Sequence, residues 1–248
     1  MIVGLFSIFK KQVPDPLDLA LIGVDMHSHL IPGIDDGSKN MDETLAMLAK
    51  FEHLGYRKVI TTPHIMSEVY NNTPEIILKG LEEVRSEIKK HGLKIQIDAA
   101  AEYYFDDYLV DLVKKREVMT FGDQYVLVEF SFHTPPVYDD TLFFEMQMAR
   151  YKPVLAHFER YPYFHGSTQK AKEYRDKGAQ IQVNINSLTG NYGSEVRKQA
   201  EKLIDQNLVD FIGSDCHRMQ HLVTMEANLT LPYISKLSSL ALKNQSLG

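Results

Sequence analysis

Histidine and carboxylate residues recur where the short apolar runs of this sequence end. Residues 25–29 read DMHSH, residues 61–64 read TTPH and residues 214–217 read SDCH. An unpaired charge in a protein interior costs several kcal/mol, so packing alone does not explain this pattern, and bound cations are the expected compensation. The candidate metal ligands are His27, His29, Asp36, His64, Glu102, Glu129, His157, Asp215 and His217.

These five imidazoles and four carboxylates are more ligands than one ion uses. Because carboxylates bridge ions, the set suits two or three divalent ions with open positions for water and substrate. The set contains no thiolate, which favours Mn, Fe or Zn over Ca or a structural zinc site. Two such ions roughly 3.5–4 Å apart support hydrolysis, including in-line displacement at phosphorus. The pattern therefore predicts a hydrolytic metal centre.

These residues can form one site only if the strands that carry them end close together in the fold. Apolar runs rich in β-branched residues alternate with segments of helical period, which is typical of βα units around a parallel sheet. In a (β/α) barrel the carboxyl ends of all strands lie on one face, where distant residues become neighbours. The seven predicted strands end near Met26, Thr62, Ala101, Glu129, His157, Asn186 and Asp215.

Local signals place the helices. Asn40 with Glu43 resembles a capping box and predicts a helix that reaches His53. Thr73 followed by Pro74 predicts another helix, which runs to about His91 and Gly92. Further helices are predicted over residues 141–151, 169–177 and 194–206, with a helical tail after His221 that Pro232 interrupts. Residues 19–248 are predicted to form one barrel domain, and residues 1–18 a tail or surface helix.

Composition narrows the function classes. The 248 residues carry a net charge of −6 and no basic cluster, which argues against a nucleic-acid partner. A single cysteine, Cys216, excludes an internal disulfide and favours the cytoplasm. The apolar stretch in residues 1–11 is shorter than the roughly 18 residues of a spanning helix. Membrane contact is therefore expected only through this segment or through a partner.

The ordered set of motifs resembles the PHP (polymerase and histidinol phosphatase) superfamily. It is more similar to the branch of bacterial manganese-dependent protein-tyrosine phosphatases associated with capsular and exopolysaccharide synthesis. Asp36 and Glu129 stand where other members commonly place His, and Arg160 matches an active-site arginine of the branch. The motifs are His27-Ser28-His29, Asp35-Asp36-Gly37, Thr62-Pro63-His64, Glu102, residues 157–161 and residues 214–217.

The resemblance implies a distorted (β/α)7 barrel of TIM-like type and an assignment of the ligands to ions, with Mn the expected metal and Fe or Zn the alternatives. It also implies catalytic functions for Arg160, His157 and Glu102, with the arginine contacting phosphate oxygens. The first ion would be held by His27, His29, Glu102 and Asp215, the second by Glu102, Glu129 and His157, and the third by Asp36, His64 and His217.

The implied reaction is attack on phosphorus by a hydroxide that bridges the ions, without a covalent phosphoenzyme. The implied substrate is phosphotyrosine in a protein, by resemblance the tail of a bacterial tyrosine kinase that controls polysaccharide export. A small-molecule phosphomonoesterase of the histidinol-phosphate type, a PHP exonuclease and a non-catalytic, metal-stabilised regulator remain as alternatives. The lack of a basic stripe weighs against the exonuclease, and the complete ligand set weighs against the regulator.

Several neighbouring residues have a second interpretation. Cys216 lacks the phosphate-cradling loop and following arginine of a cysteine phosphatase, so we expect it to pack behind the ligands. Asp35 competes with Asp36 as a ligand. The loop containing His133 and Pro135-Pro136 is interpreted as a plain connection.

Five aromatic residues and four further histidines also lie near the predicted ligands or at helix ends. A substrate ring could be walled by Tyr103, Tyr104, Phe105, Phe158 and Tyr161, which barrel packing also explains, and ordinary core or surface positions are expected for His53, His91, His165 and His221.

Overall fold

Parallel strands, or pairs of short consecutive strands, alternate with helices in most of the described part of the chain. The structure is a computed structural model that describes residues 15–248, so residues 1–14 of the predicted N-terminal segment lie outside it. The strands are β1 Val24–Asp25, β2 Lys58–Thr61, β3 His64–Ile65, β4 Gln96–Ala99, β5 Glu102–Tyr104, β6 Tyr125–Glu129, β7 Lys152–Leu155, β8 Gln180–Asn184 and β9 Phe211–Gly213. The helices are α1 Met41–His53, α2 Pro74–His91, α3 Asp107–Lys115, α4 Asp139–Met148, α5 Gln169–Asp176, α6 Ser194–Asp205, α7 Met219–Ala227 and α8 Pro232–Lys236.

The strands form two parallel ladders that are parts of one curved sheet. One ladder has the order β1-β2-β4 and the other β3-β5-β6-β7-β8-β9. Only Thr62 and Pro63 separate β2 from β3, and only two alanines separate β4 from β5. Both breaks are bridged, since Ala100 N donates to Thr61 O at 2.9 Å and Glu102 N donates to Pro63 O at 3.1 Å. The expectation of an α/β fold around a parallel sheet is confirmed.

The capping signals that were read from the sequence act as expected. Asn40 accepts a hydrogen bond from Glu43 N at 2.9 Å, and α1 begins at the next residue. Thr73 precedes Pro74 at the start of α2, and Gly92 ends this helix in the left-handed conformation, with a φ of 69°. The sequence interpretation did not include α3, whose first turn is capped by Asp106.

Two clusters of buried apolar residues lie on opposite faces of the curved sheet. The larger cluster joins the strands to the helices, through residues such as Leu48, Val84 and Leu203. The smaller cluster contains no residue of any of the eight helices, which places it on the inner face of the sheet. Its members are Val24, Met26, Ile60, Ala100, Phe121, Tyr125, Leu127, Val154, Ala156, Phe211 and Leu247. The polar residues at the carboxyl ends of the strands therefore lie above a packed apolar interior.

No helix between residues 15 and 248 is both long enough and apolar enough to cross a membrane. Leu17, near the end of the predicted N-terminal segment, is buried, and its N–H donates to Leu229 O at 3.0 Å.

Asn244, in the C-terminal 3₁₀ turn Lys243–Leu247, ties β1 to β9. Its side chain is fully buried, donates to Val24 O at 2.9 Å and to Ile212 O at 2.7 Å, and accepts from Ile212 N at 3.0 Å. One amide thus satisfies three backbone groups of two strands that share no ladder pair at this level.

We predict that Asn244→Ala lowers the free energy of unfolding by about 3 kcal/mol, because it leaves buried backbone groups without partners. Urea denaturation of the variant and of Gln245→Ala, an exposed neighbour, measures the difference. Equal stability of the two variants would contradict the structural function of Asn244.

Candidate metal centre

All nine predicted ligand side chains converge at the carboxyl end of the curved sheet. His27 and His29 follow β1, while His64 begins β3 and Glu102 begins β5. Asp36 lies in the loop before α1. The remaining four follow or end the later strands: Glu129 ends β6, His157 follows β7, and Asp215 and His217 follow β9. The convergence that the strand pattern predicted is therefore present.

Glu102 lies at the centre of the cluster. Its Oε2 is 3.2 Å from His27 Nε2, 3.4 Å from His29 Nε2 and 3.3 Å from His64 Nδ1. Its Oε1 is 3.1 Å from His157 Nε2, which is also 3.4 Å from Glu129 Oε1. A single carboxylate thus faces four imidazoles, an arrangement that suits a bridging ligand.

Asp215 and Asp36 complete the cluster on its other sides. Asp215 Oδ1 is 3.5 Å from His27 Nε2, 3.6 Å from His29 Nε2 and 3.3 Å from His217 Nδ1. Asp36 Oδ1 is 3.4 Å from His217 Nε2 and 3.6 Å from His64 Nε2. Asp36 and His217 reach solvent, whereas His27, Glu102 and Asp215 are almost completely buried.

The buried groups shift one another's pKa values. Burial acts to lower the pKa of His27, but the carboxylates of Glu102 and Asp215 outweigh it and raise this pKa above its usual value. Burial likewise opposes protonation of His157, yet its hydrogen bonds to Glu102 and Glu129 raise its pKa to about 10. Burial would raise the pKa of Glu102, but the imidazoles of His27 and His64 hold it well below its usual range. Without an ion, the carboxylates therefore favour the protonated forms of His27 and His157.

The donor set fits divalent ions. His27 Nε2 and His29 Nε2 face each other at 3.4 Å, and His64 Nδ1 and His157 Nδ1 are buried without a hydrogen-bond partner among the described residues. Imidazole and carboxylate donors without thiolate are those that Mn, Fe and Zn accept. Within each of four groups, one donor atom per residue lies within 4.8 Å of the others: His29-Asp36-His64-His217, His27-His29-Glu102, His27-His157-Asp215 and His64-Glu102-Glu129.

The structure distinguishes Asp35 from Asp36. Asp35 Oδ2 is 2.8 Å from His29 Nδ1, and the same carboxylate accepts hydrogen bonds from Gly37 N and His64 N. Asp35 is therefore occupied behind the cluster, where it directs His29 Nε2 towards Glu102. Asp36 faces the cluster from the solvent side. Of the two carboxylates, Asp36 is thus the one that faces the other candidate ligands.

Arg160 lies beside the cluster with its guanidinium between two aromatic rings. The guanidinium carbon is 4.7 Å from the centre of the Phe132 ring and 4.6 Å from that of Tyr192, and Nη1 donates to Asp215 Oδ2 at 2.9 Å. These residues line a cavity of about 560 Å³ together with Asn191, Arg218, His221 and seven of the predicted ligands. The cavity is large enough for a phenyl phosphate group.

Two expectations about the neighbourhood need correction, and of the two interpretations of the aromatic residues, packing in the core is the one observed for three of them. The aromatic wall of the cavity consists of Phe132 and Tyr192, whereas Tyr103, Phe158 and Tyr161 are buried in the core. The loop that contains His133 is more than a plain connection, because Phe132 belongs to it. His221 is not an ordinary core or surface histidine, since it lines the cavity and contacts Asp215 O at 3.0 Å. The contacts of Phe132 and Tyr192 with Arg160 join segments that are distant in the sequence and leave no spacing signal, whereas His221 follows Asp215 by six residues and was within reach of a local search.

Cys216 packs as expected behind the ligands. Its side chain is buried, and its Sγ lies 3.7 Å from Met47 Sδ. Burial raises the pKa of this thiol well above its usual value, which is the opposite of what a nucleophilic cysteine requires. His53 and His91 also lie where expected, as the last residues of α1 and α2.

Comparison with known proteins identifies the family. The sequence profile described as "Capsular polysaccharide synthesis, CpsB/CapC" matches residues 23–230. The chain belongs to this family.

Its relatives in the CpsB/CapC family carry phosphatase names. Staphylococcus aureus CapC, provisionally named a tyrosine-protein phosphatase, is 33% identical over 197 residues, which cover 78% of this chain and 76% of CapC. Bacillus subtilis YwqE, named a tyrosine-protein phosphatase, is 27% identical over 236 residues, which cover 90% of this chain and 93% of YwqE.

Solved structures agree with the fold. One from a study of B. subtilis YwqE and Streptococcus pneumoniae CpsB, described there as metal-dependent tyrosine phosphatases, matches with a TM-score of 0.81 at 26% identity and covers 90% of this chain and 93% of that chain. Histidinol phosphate phosphatase from Lactococcus lactis, complexed with zinc, L-histidinol and phosphate, matches with a TM-score of 0.53 at 14% identity, over 88% of this chain and 94% of that chain. The second likeness is one of fold alone.

We predict that adding Mn²⁺ to metal-free protein at pH 7 releases protons. His157, with a pKa of about 10, holds a proton at this pH, and a metal ligand must lose its proton when it binds the ion. Apparent affinity should consequently rise with pH across the neutral range. Titration calorimetry in two buffers of different ionisation enthalpy counts the protons. Binding with no proton release would contradict the charge balance described here.

Proposed function

We propose that this CpsB/CapC family member is a metal-dependent tyrosine-protein phosphatase that hydrolyses phosphotyrosine in a protein. The observation that carries this proposal is the convergence of five imidazoles and four carboxylates beside Arg160, with seven of these nine residues lining one open cavity. The names of the family relatives CapC and YwqE support the choice of phosphotyrosine.

We further propose that the cluster holds two or three divalent ions, with Mn as the first choice and Fe or Zn as alternatives. Glu102 is the natural bridging carboxylate because its two oxygens face different imidazoles. The proposed ligand groups keep the order implied by the family resemblance: His27, His29, Glu102 and Asp215; then Glu102, Glu129 and His157; then Asp36, His64 and His217.

The chain's own residues bind and orient the substrate. Bound divalent ions supply Lewis acidity, which makes water nucleophilic near neutral pH and neutralises phosphoryl oxygens. Arg160 offers planar donors suited to two phosphoryl oxygens, and its bond to Asp215 fixes the orientation of the guanidinium. Glu102 and His157 are held within the buried part of the cavity, where they position the reacting centre. The phenolate of tyrosine is a good leaving group, so the reaction needs little help from a general acid.

Phe132 and Tyr192 favour an aromatic substrate. Both rings cover faces of the Arg160 guanidinium and also line the cavity, so a substrate phenyl ring that enters beside them meets apolar surface. The net charge of −6 does not exclude a phosphate dianion, because bound cations reverse the local field.

We infer that the curved sheet closes as the distorted (β/α)7 barrel that the resemblance implies. Counting the interrupted pairs β2/β3 and β4/β5 as single strands gives seven. At the seam between β9 and β1, Asp215 N donates to His27 O at 2.8 Å and His29 N donates to Cys216 O at 2.9 Å. Lower in the seam, Asp25 accepts from Ser214 N at 2.7 Å, and Asn244 bridges the strand bases.

We also propose that the physiological substrate is a phosphotyrosine-containing protein of capsule or exopolysaccharide synthesis, namely the tail of a bacterial tyrosine kinase. The capsular synthesis family to which the chain belongs supports this context.

A substrate panel tests the function. Protein loaded with Mn²⁺ is expected to hydrolyse a phosphotyrosine peptide faster than a phosphoserine peptide or histidinol phosphate, to leave single-stranded DNA intact, and to lose activity in chelator. The physical reason is that candidate metal ligands and two aromatic rings line the cavity, which suits an aryl phosphate. The sequence has no basic stripe to bind DNA. Phosphate release and DNA electrophoresis are the measurements.

Two variants control this panel. Glu102→Gln should abolish turnover, because it removes the central charge of the cluster, while Cys216→Ser should remain active. A preference for phosphoserine or histidinol phosphate would overturn the tyrosine assignment, and DNA cleavage would replace it with a nuclease. An inactive, correctly folded and metal-loaded Cys216→Ser would overturn the proposed mechanism.

A further inference from the structure

Strand β8 supplies none of the nine predicted ligands, yet two of its side chains connect three of them. Gln182 and Asn184 are two residues apart, so they project to the same face of the strand, and both are fully buried. They contact His27, His157 and Asp215, which follow three different strands. Buried amides at such positions need full hydrogen bonding, so their contacts specify one arrangement.

Gln182 determines which nitrogen of His27 faces the cluster. The backbone N–H of His157 can only donate, so the Gln182 atom 2.8 Å from it is the oxygen Oε1. The same oxygen lies 3.1 Å from His27 Nδ1, which must therefore carry a proton and donate it. In the neutral imidazole, Nε2 then presents its lone pair towards Glu102 and Asp215.

Asn184 determines which oxygen of Asp215 faces the cluster. Its Nδ2 donates to Asp215 Oδ2 at 2.8 Å, and Arg160 Nη1 donates to the same oxygen at 2.9 Å. Oδ2 is thus occupied, and Oδ1 is left facing His27, His29 and His217. Asn184 is oriented in turn, because its Oδ1 accepts from Gln182 Nε2 at 2.8 Å. The two amides therefore act as one connected unit.

The backbone around this unit is constrained. His157 has a φ of 30° and Asp215 a φ of 50°, in the left-handed region that non-glycine residues rarely occupy. Such conformations persist where surrounding contacts determine them. The packing is also close, since a Cβ on Gly213 would lie 2.7 Å from His27 Cβ and 2.9 Å from Gln182 Nε2.

We propose that Gln182 and Asn184 are positioning residues of the metal centre: Gln182 sets the tautomer of His27 and the backbone of His157, and Asn184 directs Asp215. This inference rests on the proposed function, because it takes the cluster to be a metal site. Residues that orient metal ligands typically affect metal affinity by about 10–100-fold when they are replaced.

The test compares two buried glutamines. Gln182→Leu is expected to weaken the binding of at least one Mn²⁺ ion by about 10–100-fold. The matched control is Gln199→Leu, because Gln199 also accepts from a backbone N–H, at Gly166, and donates to a carbonyl, at Ser167, but lies in α6 and contacts no ligand. The control should lose stability without losing metal affinity. Equilibrium dialysis with elemental analysis measures the affinity, and thermal unfolding measures the stability.

A second variant and a spectrum keep the inference testable if Gln182→Leu does not fold. Asn184→Leu retains the contacts of Gln182 with His27 and His157, so it should also weaken Mn²⁺ binding while leaving the His27 tautomer unchanged. Imidazole ¹⁵N spectra of Zn²⁺-loaded wild-type protein should show His27 protonated at Nδ1. Wild-type metal affinity in both β8 variants, an equal loss in Gln199→Leu, or a His27 protonated at Nε2 would overturn the inference. Wild-type protein that binds Mn²⁺ but does not hydrolyse phosphotyrosine would overturn the proposed function instead.

Discussion

The arrangement of this molecule depends on mutual compensation among charged groups that are buried together. Glu102 and Asp215 are almost inaccessible to solvent, and either carboxylate alone would be costly at such a position. Facing imidazoles lower their pKa values, and the carboxylates in turn raise the pKa values of His27 and His157. Divalent ions provide the same compensation without holding protons on the ligands. The strands must therefore end in register, since a displaced ligand would leave an uncompensated charge.

Much of this site could be predicted from the sequence, because its main signals are local or follow from topology. Carboxyl ends of parallel strands share one face, so a histidine or carboxylate at the ends of six of the seven apolar runs was sufficient to predict the cluster. Helix starts at Asn40 and Thr73 were equally accessible, since capping depends on residues three positions apart. The preference for Asp36 over Asp35 came from family resemblance, and it stays a prediction that the contact of Asp35 with His29 supports.

The supporting residues could not be predicted in this way. Gln182 and Asn184 matter because of neighbours across the sheet, and a buried amide on a strand leaves no distinctive pattern in the sequence. Phe132 and Tyr192 come from different loops and meet only around Arg160, so no local pattern in the sequence indicates that they line the cavity. Asn244 likewise matters because β1 and β9 share no ladder pair, which no local pattern in the sequence reveals.

The central claim is that these side chains hold divalent ions. Anomalous diffraction at the Mn absorption edge, from crystals of the Mn²⁺-loaded protein, tests it most directly because it locates each ion relative to its ligands. We expect two or three peaks in the cavity, with Glu102 between two of them and Asp36, His64 and His217 around another when three are present. A cavity without peaks, in crystals of protein that hydrolyses phosphotyrosine, would contradict it.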